Sequence, residues 1–230
     1  MLSVLLAALT SYDAVAVALL AAAWGLSGWL IEHPPRDRPS VSRLMTRYRH
    51  DWMREMLTRQ PRIFDAAILS SLRQGTTFLA SAAMIAVGGV LALAGNADRL
   101  ESLTTSVSAE PLPALVWQAK LAVVALLLAH AVFKFVWSNR LFGYCAVVMA
   151  SAPNDAGAAR APVRARKAAD LNVRAAMNFN RGLRSIYFAF AALAWLLGAW
   201  ALLAATVATT WVVLGREFAS TGRTILLDPD

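Results

Sequence analysis

Four stretches of this chain stay apolar for long enough to cross a membrane, and the polar segments between them carry very different charge. The stretches run from about Ala14 to Ile31, Thr76 to Ala94, Leu112 to Val136 and Ile186 to Leu214. Each reaches the roughly 18 residues that a helix needs to span a hydrocarbon core about 30 Å thick. The first is closed by Glu32-His33-Pro34-Pro35, and the fourth is long enough to tilt. The pattern predicts an all-α fold: one membrane domain over residues 1–230, built as a four-helix bundle.

The polar segments are patterned too. Between Val41 and Arg59, the residues Leu44, Met45, Tyr48, Trp52, Met53, Met56 and Leu57 recur mostly at three- and four-residue steps, which is one face of an α-helix. Arg43, Arg47, Arg49, Asp51, Arg54 and Glu55 fill the other faces. A basic amphipathic helix with Trp and Tyr on its apolar side suits a headgroup layer, so an interfacial helix is expected here. Ser40 or Ser42 would cap it. Pro61 suits the first turn of the next helix. Only tolerated glycines interrupt Arg62–Ala94, and a helix of that length measures about 50 Å. Its first half should therefore project into the cytoplasm. The third helix should likewise continue through Arg140, Phe142 and Tyr144 toward Ser151. Pro153-Asn154-Asp155-Ala156-Gly157 reads as a flexible loop, after which helix resumes near Val163 and leads into the fourth span.

Charge orients this scaffold. The 230 residues are 58% hydrophobic, too apolar for an ordinary soluble domain, and 22 basic against 14 acidic side chains leave a net charge of +8. Nine arginines fall in 33–75, and nine more basic residues fall in 134–185. The loop 95–111 has only Arg99, against Asp98, Glu101 and Glu110; residues 1–12 have no basic residue, and the tail has Arg216 and Arg223. The positive-inside rule puts 32–75 and 137–185 in the cytoplasm and both termini on the outer side of the inner membrane. Anionic lipid, rather than nucleic acid, is the expected partner of the basic excess. The first residues lack the basic region of a secretory signal. The lone Cys145 excludes an intramolecular disulfide.

Several groups could carry chemistry. Ser70, Gln74, Thr77 and Ser81 fall at steps of four, three and four, so they share one face of the second span, and Gly88 continues it. Such a stripe glues helices together or lines a pore or ligand cavity. Ala14, Ala18, Ala21, Gly25 and Gly28 form a small-residue stripe on the first helix, suited to close packing within or between protomers. His130 reads as a hydrogen-bonded packing residue, with a proton-responsive group or a metal or haem ligand as the alternatives. Lys120 and Lys134 lie near opposite ends of the third span and can snorkel to headgroups. Arg47, Arg49, Lys134, Arg140, Arg181 and Arg184 could form a basic inner rim that binds anionic headgroups, an entering anion or a phosphate. No phosphate-binding glycine loop, His-Glu-x-x-His pattern or Cys-x-x-Cys pair is present, and the acids nearest the spans, Asp13, Glu32 and Asp65, are not paired for general acid–base work. No catalytic residue, metal or cofactor is expected.

Three strings recur in order along the chain: MTRYRHDWM from Met45, FKFVWSNRLFGY from Phe133 and FNRGLRSIYFAFAALAW from Phe179, followed by Arg216-Glu217-Phe218. Together they resemble the bacterial membrane family catalogued as domain of unknown function 599, over about Asp13 to Phe218. The resemblance implies a four-helix inner-membrane protein and no particular activity. The residues point first to a non-enzymatic homo-oligomer that binds or conducts a small ion or solute. A lipid-binding or scaffold protein of the inner leaflet is the alternative. A membrane enzyme acting on a phosphate-bearing substrate ranks last.

Overall fold

A computed structural model describes residues 9–97 and 113–229. The first eight residues, Asp230, and the loop with Asp98, Arg99, Glu101, Glu110 and Leu112 lie outside the described residues. The fold is all-α, with no strand among the described residues. Helix α1 is Ser11–Glu32, α2 is Val41–Glu55, α3 is Ile63–Gly95, α4 is Ala114–Ala150 and α5 is Ala161–Leu193. The last two are α6, Ala199–Phe218, and α7, Thr221–Leu227. Four runs are long and apolar enough to cross a membrane: α1, α3, α4 and Ala199–Leu227.

Local chemistry explains the boundaries. Thr10 and Asp13 bond reciprocally at the start of α1, the Asp13 carboxylate accepting from the Thr10 N–H at 3.0 Å. Helix α1 stops before Pro34, since a proline disfavours helical geometry in the residue before it. Ser40 is the cap of α2: its Oγ accepts from the Arg43 N–H and donates to the Ile31 carbonyl at 2.8 Å. Helices α3 and α4, of 33 and 37 residues, are the long helices that the pattern predicts, each well over 30 Å at 1.5 Å per residue. In the loop between α4 and α5, Asp155 accepts from the Gly157 N–H at 2.9 Å, an Asx-type turn.

The expected fourth span is not one helix. Helix α5 ends at Leu193, a 3-10 turn covers Ala194–Leu197, and Gly198 at φ 118° and ψ 170° separates it from α6. That backbone region is open in practice only to glycine. A straight helix from Asn180 to Glu217 would hold them about 55 Å apart. Instead both meet Ser42: the Asn180 amide donates to its Oγ at 3.1 Å, and the Glu217 carboxylate accepts from its N–H and its Oγ at 2.9 Å each. The chain therefore leaves and returns as a helical hairpin. The tail joins the arginine-rich 33–75 segment: Arg223 donates to the Pro39 carbonyl at 2.9 Å. Apolarity alone cannot reveal the turn, because an isolated glycine in an apolar run is compatible with continuous helix.

The chain forms two compact units. Unit 1 comprises residues 1–29, 82–131 and 183–213, and unit 2 comprises 30–81, 132–182 and 214–230. In unit 1, Leu20, Leu121, Val124, Phe188 and Leu202 are buried. The hairpin tip is pinned there. Buried Lys120 donates to the Trp195 carbonyl at 3.0 Å, with its ammonium 5.4 Å and 5.7 Å from the Trp117 and Trp195 ring centres. The Trp195 indole N–H donates to Asp13 at 2.7 Å, and the Tyr12 and Trp200 rings lie 5.8 Å apart. Lys120 thus holds a helix end rather than reaching freely to headgroups. The small-residue stripe of α1 is mostly exposed; only Gly28 is closely packed, against the Arg184 guanidinium.

Unit 2 has its own core of Met53, Met56, Leu141, Phe142, Cys145, Met149, Ala165 and Ala168. Gly182 packs so tightly on Phe135 that an added Cβ would lie 2.7 Å from the ring. Met53, Met56 and Leu57 come from the amphipathic segment, so that part of its apolar face is turned to protein. Helix α2 is thus a packed element of unit 2, with Met53 buried and Leu44, Met45 and Tyr48 only partly covered. An amphipathic pattern specifies a buried face and not what buries it.

Candidate functional site

The site lies in unit 2, where the first half of α3 and the second half of α4 flank a cavity of about 670 Å³. Ser70, Arg73, Gln74 and Thr77 line it from α3, and Asn139, Ala146 and Met149 from α4. Met56, Arg62, Ala66, Leu69, Ala150 and Asn154 complete the wall. Three members of the polar stripe are therefore brought together as a lining. Ser81 is exposed on the same face but stands outside the cavity. The Gln74 amide donates to Ser70 Oγ at 3.3 Å, a local i,i+4 contact that leaves the amide oxygen for another donor.

Two arginines supply the charge. Arg73 donates one long bond, 3.4 Å, from Nε to Asn139 Oδ1, and its two terminal nitrogens have no partner among the described residues. Arg62 is committed to structure: its terminal nitrogens donate to the carbonyls of Ala152 at 2.9 Å and Pro153 at 2.6 Å, anchoring the turn after α4. Its buried Nε has no partner among the described residues. Beside it, fully buried Asp65 accepts from the Trp52 indole at 2.7 Å and from Arg59 at 2.5 Å. Asp65 is not among the lining residues, which include no carboxylate, histidine or cysteine. The lining thus offers cation, hydrogen-bond donors and apolar wall, with no general base to activate Ser70 or Thr77.

The expected basic rim is divided among separate partners. Arg49 is bound to Asn172, and burial pulls its guanidinium below the ordinary pKa. Arg47 pairs with Asp51 in solvent, and exposed Arg140 donates to the Tyr144 hydroxyl at 2.7 Å. Arg181 holds Glu32 through two nitrogens, one at 2.8 Å, and that carboxylate raises its pKa. Lys134 is half-buried. Arg184 is a buried residue of unit 1. None of the six lines the cavity. His130, also in unit 1, accepts or donates at 2.7 Å to Ser185 Oγ, which receives the Trp24 indole N–H at 3.2 Å. Its ring stands edge-on to Trp24 at 5.0 Å. These contacts give it the geometry of a packing residue. No cluster of three metal-ligating side chains occurs among the described residues.

Over residues 15–222, from α1 into α7, the sequence matches the family described as Protein of unknown function, DUF599. The chain belongs to this family. No curated protein and no solved structure matches it. The matched range includes every lining residue of the cavity and both arms of the hairpin.

The sequence signal for the site was half complete. The stripe on α3 was legible from spacing alone. Arg62 and Arg73 were counted among nine loop arginines, and what sets Arg73 apart is its position one turn before Thr77 on the same helix.

Proposed function

We propose that this membrane protein binds a ligand bearing an anionic group in the unit 2 cavity and does no chemistry on it. The observation that carries the reading is the exposed Arg73 guanidinium, whose terminal nitrogens have no partner among the described residues, in an open cavity that Thr77, Gln74 and Asn139 also line. Arginine forks match planar and tetrahedral anions, and uncharged neighbours fix orientation without competing for the charge. The test is the melting temperature of the purified protein against a panel from inorganic phosphate through glycerol 3-phosphate to anionic lipid. At least one should stabilise the native chain and fail to stabilise Arg73→Gln. No shift with any member, or an equal shift in the variant, would sink the reading.

Ser81 favours a second reading. It continues the exposed polar face of α3 beyond the cavity, where a second copy of the chain could cover it. A homo-oligomer would then conduct a solute along its axis, and Gln74→Leu or Thr77→Val should alter flux in reconstituted liposomes. An inert unmutated protein in that assay removes this reading.

Charge and the hairpin together support one topology. Unit 2 holds 19 of the 22 basic residues, and the tail's Arg216 and Arg223 are among them. The reading places the C-terminus in the cytoplasm with the arginine-rich segments, and the N-terminus outside. A C-terminal fusion to a reporter active only in the cytoplasm should be active; activity of a periplasm-dependent reporter at that position would overturn this.

A further inference from the structure

We infer that the ligand is an anionic phospholipid with an uncharged polyol headgroup, taken from the cytoplasmic leaflet; this rests on the anion-binding reading above and names the ligand's class. The cavity straddles a change of polarity on both helices that flank it. The apolar stretch of α3 begins at Thr76, and that of α4 ends at Val136. Thr77, Arg73 and Asn139 line the cavity at this boundary, the level at which a membrane helix meets lipid phosphates. On the apolar side, Phe78 of α3 and Phe133 of α4 are 71% and 72% exposed, placed for acyl chains.

Volume argues for more than a bare phosphate. Ligand clefts of roughly 300–1,000 Å³ suit drug-sized molecules, and this open groove, with exposed Ser70, Arg73, Gln74 and Thr77 along one side, offers about 670 Å³. Past Arg73 it continues toward Arg62, about 16 Å along the chain at helical rise. Ser70, Gln74 and Asn154 line that stretch and can pair with hydroxyls. The lining has no carboxylate, so an amine headgroup would enter beside two arginines with no counter-charge. A phosphodiester at Arg73 with a polyol reaching inward satisfies both ends.

The experiment is lipid retention. The full chain is reconstituted with phosphatidylcholine, phosphatidylethanolamine and phosphatidylglycerol, extracted in a nonionic detergent, and its lipids are quantified by mass spectrometry. Phosphatidylglycerol should be retained selectively, and Arg73→Gln should reduce that retention about tenfold, the effect of losing about 1.4 kcal/mol. Arg73→Lys should keep part of it, and Arg140→Gln, outside the cavity, all of it. Thr77→Val provides a second cavity variant if Arg73→Gln does not fold. Equal retention of all three lipids, or retention indifferent to both cavity variants, overturns the inference. If glycerol 3-phosphate binds in an Arg73-dependent way while no lipid is retained, the lipid assignment fails and the anion site stands. If neither binds, both fail.

Discussion

Unit 1 and unit 2 use polar side chains for opposite purposes. Unit 1 holds only three basic residues, Arg99, Lys120 and Arg184. Lys120 is joined to the Trp195 carbonyl, and Asp13 to the Trp195 indole. In an apolar setting an unpaired polar group costs several kcal/mol, so these two matched groups fix geometry, here the tip of the hairpin. Unit 2 holds the other nineteen basic residues. Several arginines there are tied to a structural partner: Arg49 to Asn172, Arg59 to Asp65, Arg62 to two carbonyls and Arg181 to Glu32. Arg73 has terminal nitrogens without a partner among the described residues, and what sets it apart from other such arginines is that it lines the cavity. Where charge exceeds what the fold needs, a binding group can be left over.

Breaking a buried ion pair should give the largest effect. Asp65 is fully buried and accepts from both Arg59 and Trp52, so Asp65→Ala should destabilise unit 2 by about 3 kcal/mol, near the lower bound for a buried pair because Arg59 is partly exposed. Denaturation in detergent micelles measures it, and a loss under about 1 kcal/mol would mean that the pair is not what holds α2 against α3.

A side chain at Gly198 tests unit 1. Gly198→Val forces a branched residue into a glycine backbone region, at a cost of about 1–3 kcal/mol. A variant as stable as the parent would indicate that the segment can run as continuous helix. Next comes Lys120→Met, which removes a bond from a charged donor to the hairpin tip and should cost about 1.5–3 kcal/mol less the gain from a well-packed apolar side chain. Near-surface cysteine pairs across the tip, such as Tyr12→Cys with Trp200→Cys, should cross-link less readily in that background. The smallest effect belongs to Arg140→Gln, an exposed side chain whose bond is to Tyr144 in the next turn: within about 0.5 kcal/mol of the parent. A large loss there would show that the unit 2 surface is less expendable than its exposure implies.

Legibility differed between elements for physical reasons. Helices α3 and α4 were readable end to end, because long apolar runs with no breaker and polar extensions admit one solution. The α2 helix and its Ser40 cap were readable, but its environment was not: Met53 and Met56 are suited to lipid or to protein, and only the packed core shows which. The polar face of Ser70, Gln74 and Thr77 came from helical spacing, whereas singling out Arg73 from eight neighbouring arginines required seeing which of them line the cavity.

By itself the sequence determined the all-α class, the membrane-spanning helices, the concentration of positive charge and the polar stripe. These are one-dimensional properties: length, apolarity, period and composition along a chain. Tertiary structure alone decided that the last apolar stretch turns back at Gly198, that the tail meets Ser42 and Pro39, and that the rim arginines are dispersed among partners. Those outcomes depend on which distant groups meet, such as Asn180 and Glu217 on one serine. Spacing along the chain cannot encode them, because a glycine permits both the straight helix and the hairpin and only the long-range contacts choose.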